Sequence, residues 1–557
     1  MKKCHFIALV CALLCWLDAG AIVKFPFPIL GGELSNSAAT SVEDIDKVMP
    51  RMKALGLNTV LVPAYWELLE PVEGQFDFTL IDRTIDRARE NRLKIVFLWF
   101  GAWKNSMSCY APAWFKQDTK RFPRACTASG KPLEIASAFS ENVLQADLKA
   151  FSALMRHLAE KDLPPLRPTA TSPQAGEEWE RTVIMMQIEN EIGMLESARD
   201  HSPLAEKAWK SPIPSDVVRF CQVAKGTTWA EAFGTDIYGE EKFMAYYYAC
   251  YVEHLAKAAR EIHNMPLYVN AAMNSRGRKP GEYPSAGPLA HLIDFWHAGA
   301  PSIDLLAPDI YDTGFKSWAA QYALPNNQLF IPESRCCENS GVRALYAFGE
   351  HQALGFSPFA IDQASQKETA SVTKAFGLVQ QVFAHNARQS PLASFGLLFD
   401  QEDKERTIED KDDVVITARH YFTLPWDPRA TDGSTWPEGG AMLLKLGKND
   451  YLLAGSGVVV DFKTRSEKQQ EEQKRLGEDG FAEAGAIASG PKTQTPKFKG
   501  KRLGLLSVDE VSIDEMGHFS YLRRHNGDQT HQGRHARIGV GEWKILHIRL
   551  YQYEASF

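Results

Sequence analysis

Between Phe25 and Gln389, short and continuously apolar runs alternate with longer stretches in which apolar residues recur every three or four positions. The first kind reads as strands buried on both faces, the second as amphipathic helices. Eight strands are expected: Phe27–Gly32, Asn58–Val62, Leu93–Phe100, Val183–Ile188, Leu267–Asn270, Ile303–Ala307, Gln328–Ile331 and Phe356–Ile361. Helices are expected over Val42–Leu55, kinked at Pro50 and stopped by Gly56, then over Phe78–Asn91, Glu141–Lys161, Glu240–Asn264, Leu289–Ala298, Val342–Ala353 and Ser371–Ala387. This strand–helix alternation predicts an α/β fold, a (β/α)8 TIM barrel. Two long loops interrupt it, Ala102–Pro132 and an insertion over about Met194–Gly239.

The pattern changes after about Ser394. Val414–Thr417, Ala441–Leu444, Tyr451–Ala454, Val458–Phe462 and Lys544–Tyr551 are short β-like runs with no convincing long helix among them, so an antiparallel β-sandwich-like domain is expected. Lys463–Lys501 is polar and reads as a long loop or insertion, with room for a short helix at its start. A chain of 557 residues is too long for one core. The expected division is a signal peptide at 1–21, a catalytic barrel at 22–394 and a β-rich accessory domain at 395–557.

The signal reading rests on Lys2 and Lys3, the apolar stretch Phe6–Trp16 and the small-residue site Ala19-Gly20-Ala21, with Ile22 as the first mature residue. It implies export to the periplasm or the medium. No later segment is apolar and long enough to span a bilayer. The apolar fraction of 45% is that of a globular protein, and a net charge of −7 without a basic run argues against nucleic acid as a partner. Six cysteines follow the signal: Cys109, Cys126, Cys221, Cys250, Cys336 and Cys337. Cys109 and Cys126 flank one loop and could pair after export, or remain free thiols; none has zinc-ligand spacing.

The candidate chemistry sits at two strand ends. Thr182–Ile188 runs into Glu189-Asn190-Glu191, and Leu329–Pro332 runs into Glu333. A carboxylate closing a buried strand is costly unless it is used. In a barrel, catalytic groups gather at the carboxyl ends of strands, so strands four and seven bring Glu191 and Glu333 together. Paired carboxylates are the equipment for breaking a glycosidic bond. A helix cap or a surface pair is the bland alternative for Asn190-Glu191, and Glu189 competes with Glu191 for the acid role. Glu70, before Pro71, reads as a structural charge. Tyr65, Trp66, Trp99, Trp103 and Trp114 cluster after strands two and three. Of these, Trp103, Tyr65 and Trp66 are candidate sugar contacts, because aromatic faces pack on C–H faces of sugars, while Trp99 is expected in the core. Asn270, ending strand five, is a further candidate contact. His263, His291, His297 and His351 lack metal spacing and read as structural.

Several segments, in order, resemble the β-galactosidases of glycoside hydrolase family 35. They are Tyr65-Trp66-Glu67-Leu68-Leu69-Glu70-Pro71 with Gly74–Phe78, Gln187–Gly193, Ala307-Pro308-Asp309-Ile310-Tyr311 and Ile331-Pro332-Glu333. The strand-seven segment departs from the commonest pattern of that family, and the β-rich tail fits the accessory domain of a bacterial branch. The resemblance implies a retaining mechanism. Glu333 would be the nucleophile and Glu191, the residue after Asn190, the acid/base. Asn190 would hold the sugar 2-hydroxyl and Tyr311 would bond the nucleophile. No cofactor and no metal is called for. The implied function is a secreted exo-β-galactosidase trimming plant oligo- or polysaccharides such as xyloglucan. The competing readings are another retaining glycosidase, an endo-β-glucanase or a β-mannanase, and a non-catalytic carbohydrate-binding protein. The oligomeric state is open.

Overall fold

The structure is a computed structural model that describes residues 23–163, 180–274, 277–474 and 500–554. The expected signal segment and most of the polar insertion before Lys501 lie outside the described residues. Eight parallel strands close a barrel: β1 (Ile29–Glu33), β2 (Thr59–Tyr65), β3 (Lys94–Phe100), β4 (Val183–Gln187), β5 (Leu267–Ala272), β6 (Leu305–Ile310), β7 (Phe330–Ser334) and β8 (Gly355–Pro358). Each pairs with its sequence neighbours, and β1 closes on β8 through Ile29↔Gly355. These strands are buried on both faces, which is why they read as unbroken apolar runs.

The helices that alternate with these strands are α1 (Val42–Ala54), α2 (Thr79–Glu90), α3 (Glu141–Lys161), α4 (Ile237–Ile262), α5 (Ile293–Gly299), α6 (Phe315–Tyr322), α7 (Ser340–His351) and α8 (Gln366–Arg388). Ser41 caps α1 by accepting from the Asp44 N–H, and Pro50 is carried inside that helix. Ser365 and Glu368 form a reciprocal capping box at the start of α8. Helix α6 is not foreseen by the sequence pattern. It is short and starts straight after left-handed Gly314, so its apolar period is barely one face long. The expected helix over Leu289–Ala298 is split into a 3-10 turn, Ala290–Leu292, and α5. The two long loops are not bare: the first holds the hairpin Arg124–Cys126 with Pro132–Ala136, the second three short helices. All six described cysteines are free, Cys109 and Cys126 included.

Beyond the barrel, the strands are β9 (Ala393–Phe399), β10 (Glu405–Glu409), β11 (Val415–His420), β12 (Gly439–Gly447), β13 (Asp450–Ser456), β14 (Val458–Lys463), β15 (Arg502–Ile513), β16 (Phe519–His525), β17 (Ala536–Ile538) and β18 (Lys544–Tyr553). They form an antiparallel six-stranded sheet, β9-β12-β13-β18-β15-β16, and a four-stranded one, β10-β11-β14-β17. In the large sheet, strands β12 and β13 are buried on both faces, and the period of two sorts the sheet's side chains. Leu397, Leu443, Leu453 and Leu546 face the smaller sheet. Leu398, Leu444, Leu452 and Ile545 join the core of the barrel instead. Close approach is needed where β9 crosses α7. A Cβ on Gly396 would meet Tyr346 O at 2.5 Å, and one on Gly349 would meet Phe395 O at 2.9 Å. Arg343 of α7 makes a two-pronged ion pair with Glu438, at 2.6 and 2.8 Å, across the same junction.

Candidate active site

Four buried carboxyl groups meet at the carboxyl end of the barrel: Glu33 ending β1, Glu191 just past β4, Asp309 on β6 and Glu333 on β7. One oxygen each of Glu191, Asp309 and Glu333 lies within 4.8 Å of the others. That closeness is of the order seen between retaining carboxylates, about 5–5.5 Å, and well inside the roughly 6.5–9.5 Å of inverting ones.

The two principal acids differ in their surroundings. Glu333 is held by three donors: Tyr311 Oη on Oε2 at 2.6 Å, and Asn190 Nδ2 and Asn270 Nδ2 on Oε1 at 3.2 and 3.1 Å. Glu191 has its backbone N–H on Asn270 Oδ1 at 2.9 Å, and its carboxyl takes a hydrogen bond from Asn105. Burial, then the charge of Glu333, push the Glu191 carboxyl up to about 7, against the opposing pull of the Lys104 ammonium. Burial followed by the Glu333 charge likewise raises Glu33 and Asp309 well above the usual carboxylate range.

The local backbone explains how Glu191 is aimed. The strand stops at Gln187, and Glu189 and Glu191 both take left-handed conformations, with φ of +58° and +46°. Such conformations are strained for residues with side chains and concentrate at functional sites. The turns separate the two acids. Glu189 points away, accepting from the Trp103 N–H at 2.7 Å beside Asp147, and burial followed by the Asp147 charge raises it well above its usual range. Glu189 therefore does not share a face with Glu191, as regular strand geometry would have it. The loop after β3 runs alongside this turn: Asn105 N–H donates to Asn190 O at 3.2 Å and Ser106 N–H to Glu191 O at 3.1 Å.

Of the expected sugar contacts, the structure gathers Asn190, Asn270 and Tyr311 at the pair, but as its supports. Asn190 is committed to Glu333 and to Lys104 Nζ, at 2.9 Å, and Asn270 bridges Glu191, Asp309 and Glu333. The aromatic expectations are corrected. Trp103 is fully buried edge-on against Tyr248 and Tyr251, so it cannot stack on a sugar. Trp66 is fully buried among Trp99, Trp114 and Phe115 and bonds Glu70, a structural group. Tyr65 is 4% exposed and packs on Phe100 and Tyr110. By its place just past an apolar strand, such an aromatic residue reads as a site wall, whereas here it fills the layer between barrel and helices.

Glu33, Lys104, Asn105 and Asp309 escape a reading of the sequence. Glu33 has the same signal as the two principal acids, a carboxylate closing a buried strand. Asp309 lies inside the Ala307–Tyr311 segment without a role of its own there. Nothing in the sequence marks Lys104, which is buried only because the loop after β3 follows β4. Glu191, Asp309 and Glu333 are also the described residues whose oxygens could close on a cation. The amide and phenol donors already aimed at them fit carboxyl groups working on an organic substrate. No described helix is long and apolar enough to cross a membrane.

Comparison with known proteins adds a similarity to a family model. Residues 36–239 match the glycoside hydrolase family 42 model, described as beta-galactosidase, and residues 372–537 match a domain of unknown function, DUF5597. No curated protein matches the chain. Solved structures that align include the β-galactosidase of psychrophilic Marinomonas ef1, at 12% identity and TM-score 0.44, covering 63% of this chain and 59% of that one. The cold-adapted β-galactosidase of Rahnella sp. R3 aligns at 14% identity and TM-score 0.45, covering 66% and 57%. A catalytic mutant of a family 42 β-galactosidase from G. stearothermophilus aligns at 14% and 0.45, covering 65% and 57%. The chain spans less than two thirds of the length of these structures. The family 35 resemblance is not supported, and the matching family model is that of family 42. What the comparison shows is a similarity of residues 36–239, within the (β/α)8 barrel, to that glycoside hydrolase model.

Proposed function

We propose that the protein is a retaining β-galactosidase that removes terminal β-galactosyl units. The observation that carries this reading is the pairing of Glu191 and Glu333, close together yet unlike in environment. Glu333, fixed by Tyr311, Asn190 and Asn270, attacks the anomeric carbon and forms a glycosyl-enzyme. Glu191, still protonated near neutrality, gives its proton to the leaving oxygen and then takes one from the attacking water. Asp309 and Glu33 surround the pair with groups that burial keeps protonated. The galactosyl specificity is supported by the family match over residues 36–239.

Action from chain ends, export through residues 1–21 and plant side-chain galactose such as that of xyloglucan belong to the same proposal. They are motivated by the N-terminal sequence and by the long segments after β3 and β4. The test is hydrolysis of nitrophenyl β-galactoside against the β-glucoside and β-mannoside, with reducing ends counted on intact xyloglucan. Galactose release without chain shortening is expected. Rapid shortening with no free galactose would make the protein an endo-glycanase instead. Mass spectrometry of the native protein should find Ile22 first; an intact Met1 would remove export.

A further inference from the structure

Behind the turn that carries Glu191 lie two acids that the mechanism does not use. Glu189 and Asp147, the latter on α3, are both fully buried, and their carboxyl groups are in hydrogen-bonding contact. Each is also held from its other side. Asp147 accepts from Trp99 Nε1 at 2.8 Å on one oxygen and from Tyr251 Oη, on α4, at 2.7 Å on the other. Glu189 Oε2 accepts from the Trp103 N–H at 2.7 Å, while Oε1 meets no donor among the described residues. Two carboxylates in contact away from water repel, so a proton must lie between them. Both Asp147 oxygens already receive donors, which leaves that proton to Glu189 Oε1, donating to Asp147. Burial, then the Asp147 charge, accordingly raise Glu189 well above its usual range. Burial also raises Asp147, against the pull of its bonds to Glu189, Tyr251 and Trp99.

The pair grips the backbone beside the site. The chain runs so close over Asp147 that a Cβ on Gly101 would meet its Oδ1 at 2.9 Å. Two residues on, Trp103 is held at both ends of its peptide groups: its N–H by the Glu189 carboxyl, its O by the Asn190 N–H at 3.3 Å. The left-handed course through Glu189 and Glu191 is thus tied to β3, α3 and α4. We propose that Glu189 and Asp147 are positioning residues, an acid pair joined by one proton, which pins this strained turn and so keeps Glu191 aimed at the leaving oxygen. The proposal rests on the galactosidase reading, with Glu191 as the acid.

The test compares lactose, whose leaving sugar must be protonated, with dinitrophenyl β-galactoside, whose leaving group needs no acid. In Glu189→Leu, which offers Asp147 no proton, kcat/KM for lactose is expected to fall about a hundredfold relative to that for the dinitrophenyl galactoside. Glu189→Gln keeps an N–H for Asp147 and an oxygen for the Trp103 N–H, so it should stay within about twofold of wild type on both substrates. Asp147→Asn is nearly isosteric but turns an N–H onto Trp99 or Tyr251, and should show the same split at about fivefold. It decides the matter where Glu189→Leu does not fold. Equal losses on the two substrates in Asp147→Asn, or no loss, would overturn the positioning role, and so would a substantial loss in Glu189→Gln. A wild-type protein that hydrolyses neither galactoside would overturn the galactosidase reading and this proposal with it, so the two failures are told apart.

Discussion

The mouth of the barrel and the interior of the accessory sandwich both bury ionisable groups, and they do so in opposite ways. In the sandwich, charges come in pairs. Lys445, 3% exposed, sits 2.6 Å from Asp410, which also accepts from Tyr451 Oη at 2.8 Å. Arg419 pairs with Asp461. In the barrel, Glu33, Glu191, Asp309 and Glu333 converge with one nearby ammonium, Lys104. The Gln187 amide and the Tyr268 hydroxyl beside them have no hydrogen-bond partner among the described residues. A paired buried charge is part of a fold's stability. A cluster of buried carboxyl groups crowded together, their ionisation suppressed by burial and by one another, is a cost to stability that a reaction must justify.

If that contrast is sound, the largest effects on activity come from the barrel acids and the largest effects on stability from the sandwich pairs. Glu333→Gln should give no measurable turnover while the melting temperature holds, as one buried acid of four is removed. Glu191→Ala should lose about 10²–10⁴-fold on a sugar leaving group. On a good leaving group azide should restore part of the rate, and rescue of Glu189→Ala instead would reverse the assignment. In the sandwich, Lys445→Met strands a buried carboxylate and should cost about 3–5 kcal/mol in denaturant unfolding, with kcat/KM of the folded fraction unchanged. Altered kinetics there would erase the contrast.

The two regions should also answer pH with opposite signs. Burial alone would raise Asp410, but the Lys445 ammonium and its hydrogen bonds hold it below the usual carboxylate range. Its contribution is present above the unfolded value of about 3.9 and is lost as pH falls through the folded one. Glu33 is raised, so its contribution is complete below about 4.3 and is lost as pH rises. The melting temperature of Glu33→Gln relative to wild type should therefore climb from pH 4.5 to 7; a flat difference would mean that Glu33 is not held protonated. The smallest expected effect is kinetic. Activity should decline above about pH 7 as Glu191 ionises. Lys104→Met removes the charge that favours that ionisation, so the alkaline limb should move up by about one unit.

The contrast also explains what can be read from the sequence. Barrel strands announce themselves, because burial on both faces leaves unbroken apolar runs, and β12 and β13 are visible for the same reason. β16 is exposed at most positions, and β15 alternates apolar with polar residues, so neither carries a continuous run. The two principal acids are legible as carboxylates closing buried strands, and Glu33 meets the same criterion but lacks a neighbouring motif. The direction of Glu189 and the burial of Trp103 depend on left-handed turns and on helix packing that no local pattern reports.

The crossing of Gly396 over Gly349 has a further consequence for anyone engineering this chain. With Leu398, Leu444, Leu452 and Ile545 lodged in the barrel's own core, the C-terminal sheet is not a detachable module. A truncated chain ending near residue 390 would leave an oily surface bare on α7 and α8, and the excised sheet would carry its complement. Either half alone should be recovered as aggregate, and domain-swapping experiments with other barrels will have to carry both glycines and that apolar face together.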